Sequence, residues 1–273
     1  MPNPISFKCP LCASRLNLAE RSLRCDNNHC FDIAKEGYVN LVPVQNKKSK
    51  QPGDSDAMIN SRRAFLASGH YQRLREYIQT ITPNSSSASI LDMGCGEGYY
   101  LDAFDSASDN PGIAGYDLSK SAVKLAAKKN KHAQWSVANS YSLPYFDNSF
   151  DILWSIFSPY SLDEILRILK PGGRLIIAGP GPQHLNELAA LVYDTPQPHE
   201  GNFKALDSAM TLDEIDSQEL NYTLDLRDGD ILDLLKMTPY YWSASKEKQA
   251  FMSELSTLKC TADFVIKEFE KRM

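Results

Sequence analysis

The chain has 273 residues, 42% hydrophobic and 23% charged, which is the make-up of a globular protein with room for one full α/β domain and a smaller unit. It contains no apolar run of about 18 residues, and residues 1–8 have no apolar core of the kind a signal peptide needs, so a soluble, cytoplasmic chain is expected. The net charge of −5 divides unevenly, +5 over residues 1–80 and −10 over residues 81–273, so a basic front end suited to a polyanion precedes an acidic body.

Four of the six cysteines fall within the first 30 residues, as Cys9-Pro10-Leu11-Cys12 and Cys25-Asp26-Asn27-Asn28-His29-Cys30. A Cys-x2-Cys turn places two thiolates on one ion, and Cys25 with His29 or Cys30 completes a tetrahedron, so zinc is expected. So short a segment buries little core, and metal binding, worth on the order of 10 kcal/mol in zinc peptides, supplies its folding energy. Residues 31–43 alternate enough for a hairpin closing this module, and the polar stretch 45–54 reads as a linker whose Lys47, Lys48 and Lys50 could reach phosphates. Residues 60–80 read as an amphipathic helix broken at Gly69, with His70 and Tyr71 after the break placed to cover a ligand. Boundaries are drawn at 1–45 for the zinc-ribbon-like module, 46–82 for the linker and helix, and 83–273 for the body.

Ile90 to Tyr100 is a strand, a glycine turn with Gly94, Gly96 and Gly98, and an expected helix over 98–107. A dinucleotide fingerprint needs Gly-x-Gly-x-x-Gly, and the x-x gap is missing. The acidic strand end at Asp92 and the tighter glycines resemble motif I of class I S-adenosylmethionine-dependent methyltransferases. A second acid is then expected about 20 residues on to hold the ribose hydroxyls, and Asp117, before a helix start with Ser119 as N-cap, supplies it. Strands at 89–93, 113–117, 134–138, 150–156 and 174–178 alternate with helices at 119–130, 161–169 and 183–193. The fold class is therefore α/β, a Rossmann-like, doubly wound parallel sheet with a small N-terminal zinc-binding module. Ligands bind beyond the carboxyl ends of such strands, so Gly94 to Glu97, Asp117, Asn139 and Ser158 should surround one crevice. Phe157 or Tyr160 could stack there on a planar base, and His184 approaches the same place. Cys95 and Cys260 read as small buried residues, and residues 234–242 mostly as packing, with Trp242 left open.

Taken together, Cys9-Pro-Leu-Cys12, Cys25 with His29, Phe31 to Leu41, Pro52-Gly-Asp-Ser55, Arg62 to Leu66, Gly69-His-Tyr71, Asp92 to Tyr100, Lys170-Pro-Gly-Gly173 and Met237-Thr-Pro239 resemble the bacterial ribosomal RNA large-subunit methyltransferase A family. Those proteins are guanine-N1 methyltransferases of 23S ribosomal RNA. The resemblance implies S-adenosylmethionine and zinc as cofactors, a hairpin of 23S ribosomal RNA as substrate, and a homodimer. It implies cofactor contacts at Tyr71, Gly96, Glu97 and His184, beside Gly94 and Asp117 from the loop itself. It favours Cys9, Cys12, Cys25 and His29 as the metal ligands. Guanine N1 lies on the Watson–Crick edge, so the base must be unpaired or flipped out, and its proton needs an acceptor. Asp163, Glu164 and His184 are the candidates. The competing functions are a methyltransferase of small metabolites with a structural zinc module, and an RNA-binding protein with an inactive methyltransferase fold.

Overall fold

The computed structural model describes residues 5–43, 53–83, 87–103, 112–199, 201, 203–207 and 209–273. Lys47, Lys48 and Lys50 lie outside these residues. The front module is a three-stranded antiparallel sheet of β1 (Asn17–Ala19), β2 (Ser22–Arg24) and β3 (Cys30–Asp32). It docks on the body through Phe7, whose ring stacks on Tyr145 at 5.5 Å, and through Lys8, whose N–H donates to the Pro144 carbonyl at 2.8 Å. The hairpin expected over 31–43 is shared between the two parts. Ile33 bridges Val39 across a turn at Gly37, but β4 (Tyr38–Asn40) pairs in parallel with residues 135–137 and so becomes an edge strand of the body's sheet.

That body is an eight-stranded sheet in the order β10-β11-β9-β8-β5-β6-β7-β4. Its parallel part comprises β5 (Ser89–Met93), β6 (Gly112–Asp117), β7 (Gln134–Val137), β8 (Phe150–Ile156) and β9 (Leu169–Pro180). The expectation of a parallel sheet needs correcting at one side. β10 (Leu212–Arg227) and β11 (Thr257–Lys271) form a long antiparallel hairpin, and β11 runs antiparallel to β9. Side chains alternate across this sheet, as β-pleating demands. Ile152, Trp154, Ile176 and Ala178 join Phe65, Leu74 and Ile78 in one core, while Leu153, Leu175 and Ile177 join Phe7, Tyr145 and Phe150 in the other.

The helical segment before the sheet splits as expected. Ser55 caps α1 (Asp56–Ala67), its side chain accepting from the Met58 N–H, and Gly69 at φ +84° turns the chain into α2 (Gln72–Ile81). Arg73 and Arg75 lie over the rings of Tyr222 and Tyr99, so they fasten this helix to its neighbours. Of the helix expected over 98–107, residues 104–107 lie outside the described residues, and the described part is not α-helical. A single 3₁₀ turn, Tyr100–Ala103, stands there. The other helices are α3 (Lys120–Lys129), α4 (Leu162–Ile168), α5 (Asn186–Val192), α6 (Lys204–Asp207), α7 (Gly229–Met237), α8 (Tyr240–Ser243) and α9 (Lys246–Glu254). Ser119 occupies the cap position of α3, but its side chain makes no capping bond and instead reaches the Asp54 carbonyl at 3.4 Å. No helix among the described residues is long and apolar enough to cross a membrane.

Candidate active site and metal centre

In the front module, ligand atoms of Cys9, Cys12, Cys25 and His29 all lie within 4.8 Å of one another. The Cys12–Cys25 Sγ separation is 3.6 Å, and His29 Nδ1 is 3.5 Å from the sulphurs of both Cys9 and Cys25. A zinc tetrahedron with bonds of about 2.3 Å has edges of about 3.8 Å, so four donors of the right chemistry stand at the right spacing. A hydrogen bond with Ser14 brings the Cys12 thiol down to about 5, towards the thiolate that a metal needs. Cys30 is exposed, begins β3 and stands outside this group.

The second site lies at the carboxyl ends of β5, β6, β8 and β9. After Asp92 the chain turns through Gly94, Gly96 and Gly98, all at positive φ. A side chain at Gly94 would come within 2.7 Å of the Ser158 Cβ, so this glycine lets the loops after β5 and β8 close on each other. At Gly96 a Cβ would meet nothing within 4 Å, which leaves an open cradle. Asp117 faces that cradle: its Oδ2 accepts from the Gly96 N–H at 3.0 Å and its Oδ1 from the Ser119 N–H at 2.7 Å. Each oxygen keeps a further lone pair for a hydroxyl. Burial raises the Asp117 carboxyl against the lowering effect of those two donors.

Asp92 is 1% exposed, and its Oδ2 has no partner. Burial, with Asp117 nearby, pushes it up to about 8. An orphaned carboxylate oxygen at the root of a glycine loop fits a ligand that brings a cationic amine, and the methionine end of S-adenosylmethionine carries one. Glu97 is also buried, and burial raises its carboxyl.

On the side nearer β11, Tyr71, Phe157, His184 and Phe264 form a group of rings. Phe157 stacks on Tyr71 with centroids 6.1 Å apart and meets His184 at 5.6 Å. It directly follows β8 in the left-handed region, φ +53°, which costs a non-glycine residue about 1 kcal/mol. That turn brings its ring to the side of Tyr71 and Phe264, and the ring remains 41% exposed. His184 is held at both nitrogens. Its Nδ1 accepts from the Asp263 backbone N–H at 3.3 Å, and its Nε2 lies 3.3 Å from Tyr71 Oη. Burial, with His199 nearby, pushes His184 down to about 3. The ring is therefore neutral, with its proton on Nε2 and directed to Tyr71.

The structure corrects several site expectations. Tyr71 is buried among Phe65, Phe157 and Phe264, and His70 is tied to Asp230 of α7 at 2.9 Å. Tyr160 packs towards the opposite core, leaving Phe157 as the ring at the crevice. Glu164 is unsuited to take a proton. Burial tends to raise it, but Arg167 and the Leu143 N–H hold it net below the usual carboxylate range, with contacts of 2.6–2.8 Å. Asp163 is an exposed residue of the first turn of α4. His184 has no free lone pair. Asn139, just past β7, is occupied locally by the Tyr141 N–H. Trp242 is 68% exposed, whereas Leu234 and Leu235 are core. Sequence reasoning missed Asp263 and His199, although alternation at Cys260, Ala262, Phe264 and Ile266 marks the strand that carries Asp263.

Residues 7–50 match the family model for the RlmA N-terminal zinc ribbon, and residues 91–177 match a methyltransferase domain. A Bacillus subtilis (strain 168) protein described as a candidate 23S rRNA (guanine-N(1)-)-methyltransferase is 34% identical over 267 residues, covering 94% of each chain. The 23S rRNA (guanine(748)-N(1))-methyltransferase of Streptomyces fradiae is 32% identical over 251 residues, covering 89% of this chain and 88% of its own. Among solved structures, a chain from the complex of the Haloferax volcanii Trm112 methyltransferase activator with a methyltransferase candidate superposes with a TM-score of 0.53 at 18% identity, covering 81% of this chain and all of its own, and supports the fold alone. With such identity along nearly the whole length and the zinc ribbon matched at the front, the chain belongs to the 23S ribosomal RNA (guanine-N1)-methyltransferase family.

Proposed function

We propose that the protein transfers a methyl group from S-adenosylmethionine to N1 of a guanine in a hairpin of 23S ribosomal RNA, working as a homodimer. The observation that carries this reading is the meeting, at one set of strand ends, of the orphaned Asp92 oxygen and the exposed Phe157 ring. One suits the cation of the cofactor and the other a planar base. When bound, the cofactor supplies an electrophilic methyl on a sulfonium. Gly94 and Gly96 give it room, Asp117 holds the ribose hydroxyls, and Glu97, Tyr71 and His184 line the cavity. Because these groups are buried, the chain's main work is alignment and exclusion of water. Cys9, Cys12, Cys25 and His29 hold zinc, and the ribbon presents Arg15, Arg21 and Arg24 to RNA phosphates.

The test is incubation with labelled cofactor and unmodified 23S RNA, followed by digestion to nucleosides. The label is expected in 1-methylguanosine, and Asp117→Ala should abolish it. Label in small metabolites with none in RNA would overturn the substrate reading. Light scattering of the zinc-loaded protein tests the dimer.

A further inference from the structure

The reaction requires an acceptor for the guanine N1 proton, and of the groups expected to serve Glu164 is held by Arg167 and the Leu143 N–H, while both nitrogens of His184 are engaged. Beyond His184 the line of rings continues. His199 packs edge-on against His184 with centroids 6.0 Å apart, and its Nε2 lies 2.9 Å from the hydroxyl of Tyr240. Tyr240 opens α8 directly after Pro239, and the side chains of Tyr240 and His199 are half-buried, linked to the aromatic group through His184.

From this geometry we infer that Tyr240 and His199 form a proton relay, Tyr240 Oη accepting the guanine N1 proton while its own proton passes to His199 Nε2. The inference rests on the reading of the protein as a guanine-N1 methyltransferase. As the bond from the methyl carbon to N1 forms and its bond to sulphur breaks, the N1 proton leaves to Oη, and the imidazolium later returns a proton to solvent. The atoms balance without a further reactant. The ring arrangement prepares this. His199 Nε2, 2.9 Å from Tyr240 Oη, receives the Tyr240 proton in the tautomer that carries its own proton on Nδ1. Burial lowers His199 from its ordinary value, so it is neutral and ready to accept at neutral pH. Among the described residues, the titratable groups packed against it are His184, from the turn after β9, and Tyr240, with Tyr193 packed on Tyr240 at 5.8 Å.

Single-turnover methylation of 23S RNA by His199→Gln and Tyr240→Phe, followed from about pH 6 to pH 10, tests the relay. At neutral pH each variant should be slowed at least about a hundredfold. The gap should narrow in the alkaline range, where guanine N1 loses its proton unaided. Cofactor and RNA affinities should stay within about twofold, and imidazole should restore part of the rate of His199→Ala. A loss that is equal at every pH, or that lies in affinity, overturns the relay. Wild-type protein that makes no 1-methylguanosine is a separate result, which removes the parent reading and the relay together.

Discussion

The backbone N–H of Asp263 donates to Nδ1 of His184, so a strand 79 residues later in the chain fixes the tautomer of the ring that meets Tyr71. The same residue holds the whole turn. Its carbonyl accepts from the Gly181 N–H and its Oδ2 from the Gln183 N–H, both at 2.8 Å. Asp263→Ala removes the hydrogen bond that the Gln183 N–H donates, at a cost of about 0.5–1.5 kcal/mol. Cofactor affinity measured by calorimetry should fall about tenfold or more, with an unchanged far-ultraviolet circular dichroism spectrum. Unchanged affinity would show that the turn holds its place without the clamp.

The Asp92 carboxyl and the His184 ring have opposite effects on stability. Asp92, raised to about 8, binds its proton more tightly folded than unfolded, so its contribution is complete at low pH and is lost as pH rises towards 8. His184, lowered to about 3, does the reverse: stability grows as pH rises from about 3 to about 6.5, where the unfolded imidazole loses its proton. Of these two, only the Asp92 effect remains above about pH 6.5. The Asp92 carboxyl should therefore contribute a loss of about 2 kcal/mol to the ligand-free protein between pH 6.5 and 8, and Asp92→Asn should remove that part of the slope. Thermal melts across this range check both. Binding of the cofactor's cation near neutral pH should also release a proton, seen as a dependence of the calorimetric heat on buffer.

Gly94 and Gly96 separate backbone strain from crowding. Both sit at positive φ, but only Gly94 faces a neighbour that a Cβ would strike, the side chain of Ser158. Gly96→Ala should cost the ligand-free protein about 1 kcal/mol, and Gly94→Ala clearly more, about 2–3 kcal/mol. Denaturant titration of the two variants without cofactor gives the comparison.

Removal of zinc should loosen the front module and the surface beneath it. Phe7 and Lys8 join that module to Tyr145 and Pro144, whereas β5, β8 and β9 rest on the sheet's own cores. After chelation, amide exchange should accelerate across residues 5–33 and 142–146 and stay slow in those three strands. Uniform acceleration through the sheet would show that the ribbon is part of the same cooperative unit.

The parallel strands, the broken helix at Gly69 and the Cys/His cluster were legible because each has a local signature: alternation, a glycine at φ +84°, and ligand spacing. The C-terminal hairpin was less so. Its first half, Asp213 to Glu219, is exposed along one run, and an exposed strand has no apolar alternation to read. Asp92 stood in the recognised loop, yet its unpartnered oxygen is a property of burial. Glu164 looked available until folding brought Arg167 and the Leu143 N–H to it. His199 and Asp263 act on His184 across 15 and 79 residues of chain, and the second of these distances has no local trace.

A methyl group on guanine N1 blocks Watson–Crick pairing, so reverse transcription across treated 23S RNA reads the product and its position together. Wild-type protein with S-adenosylmethionine should produce one strong stop at a single hairpin guanine, absent without the cofactor and absent with Asp117→Ala. No stop, in RNA that has nevertheless taken up methyl label, would contradict the account, because the acceptor would then lie off the pairing edge.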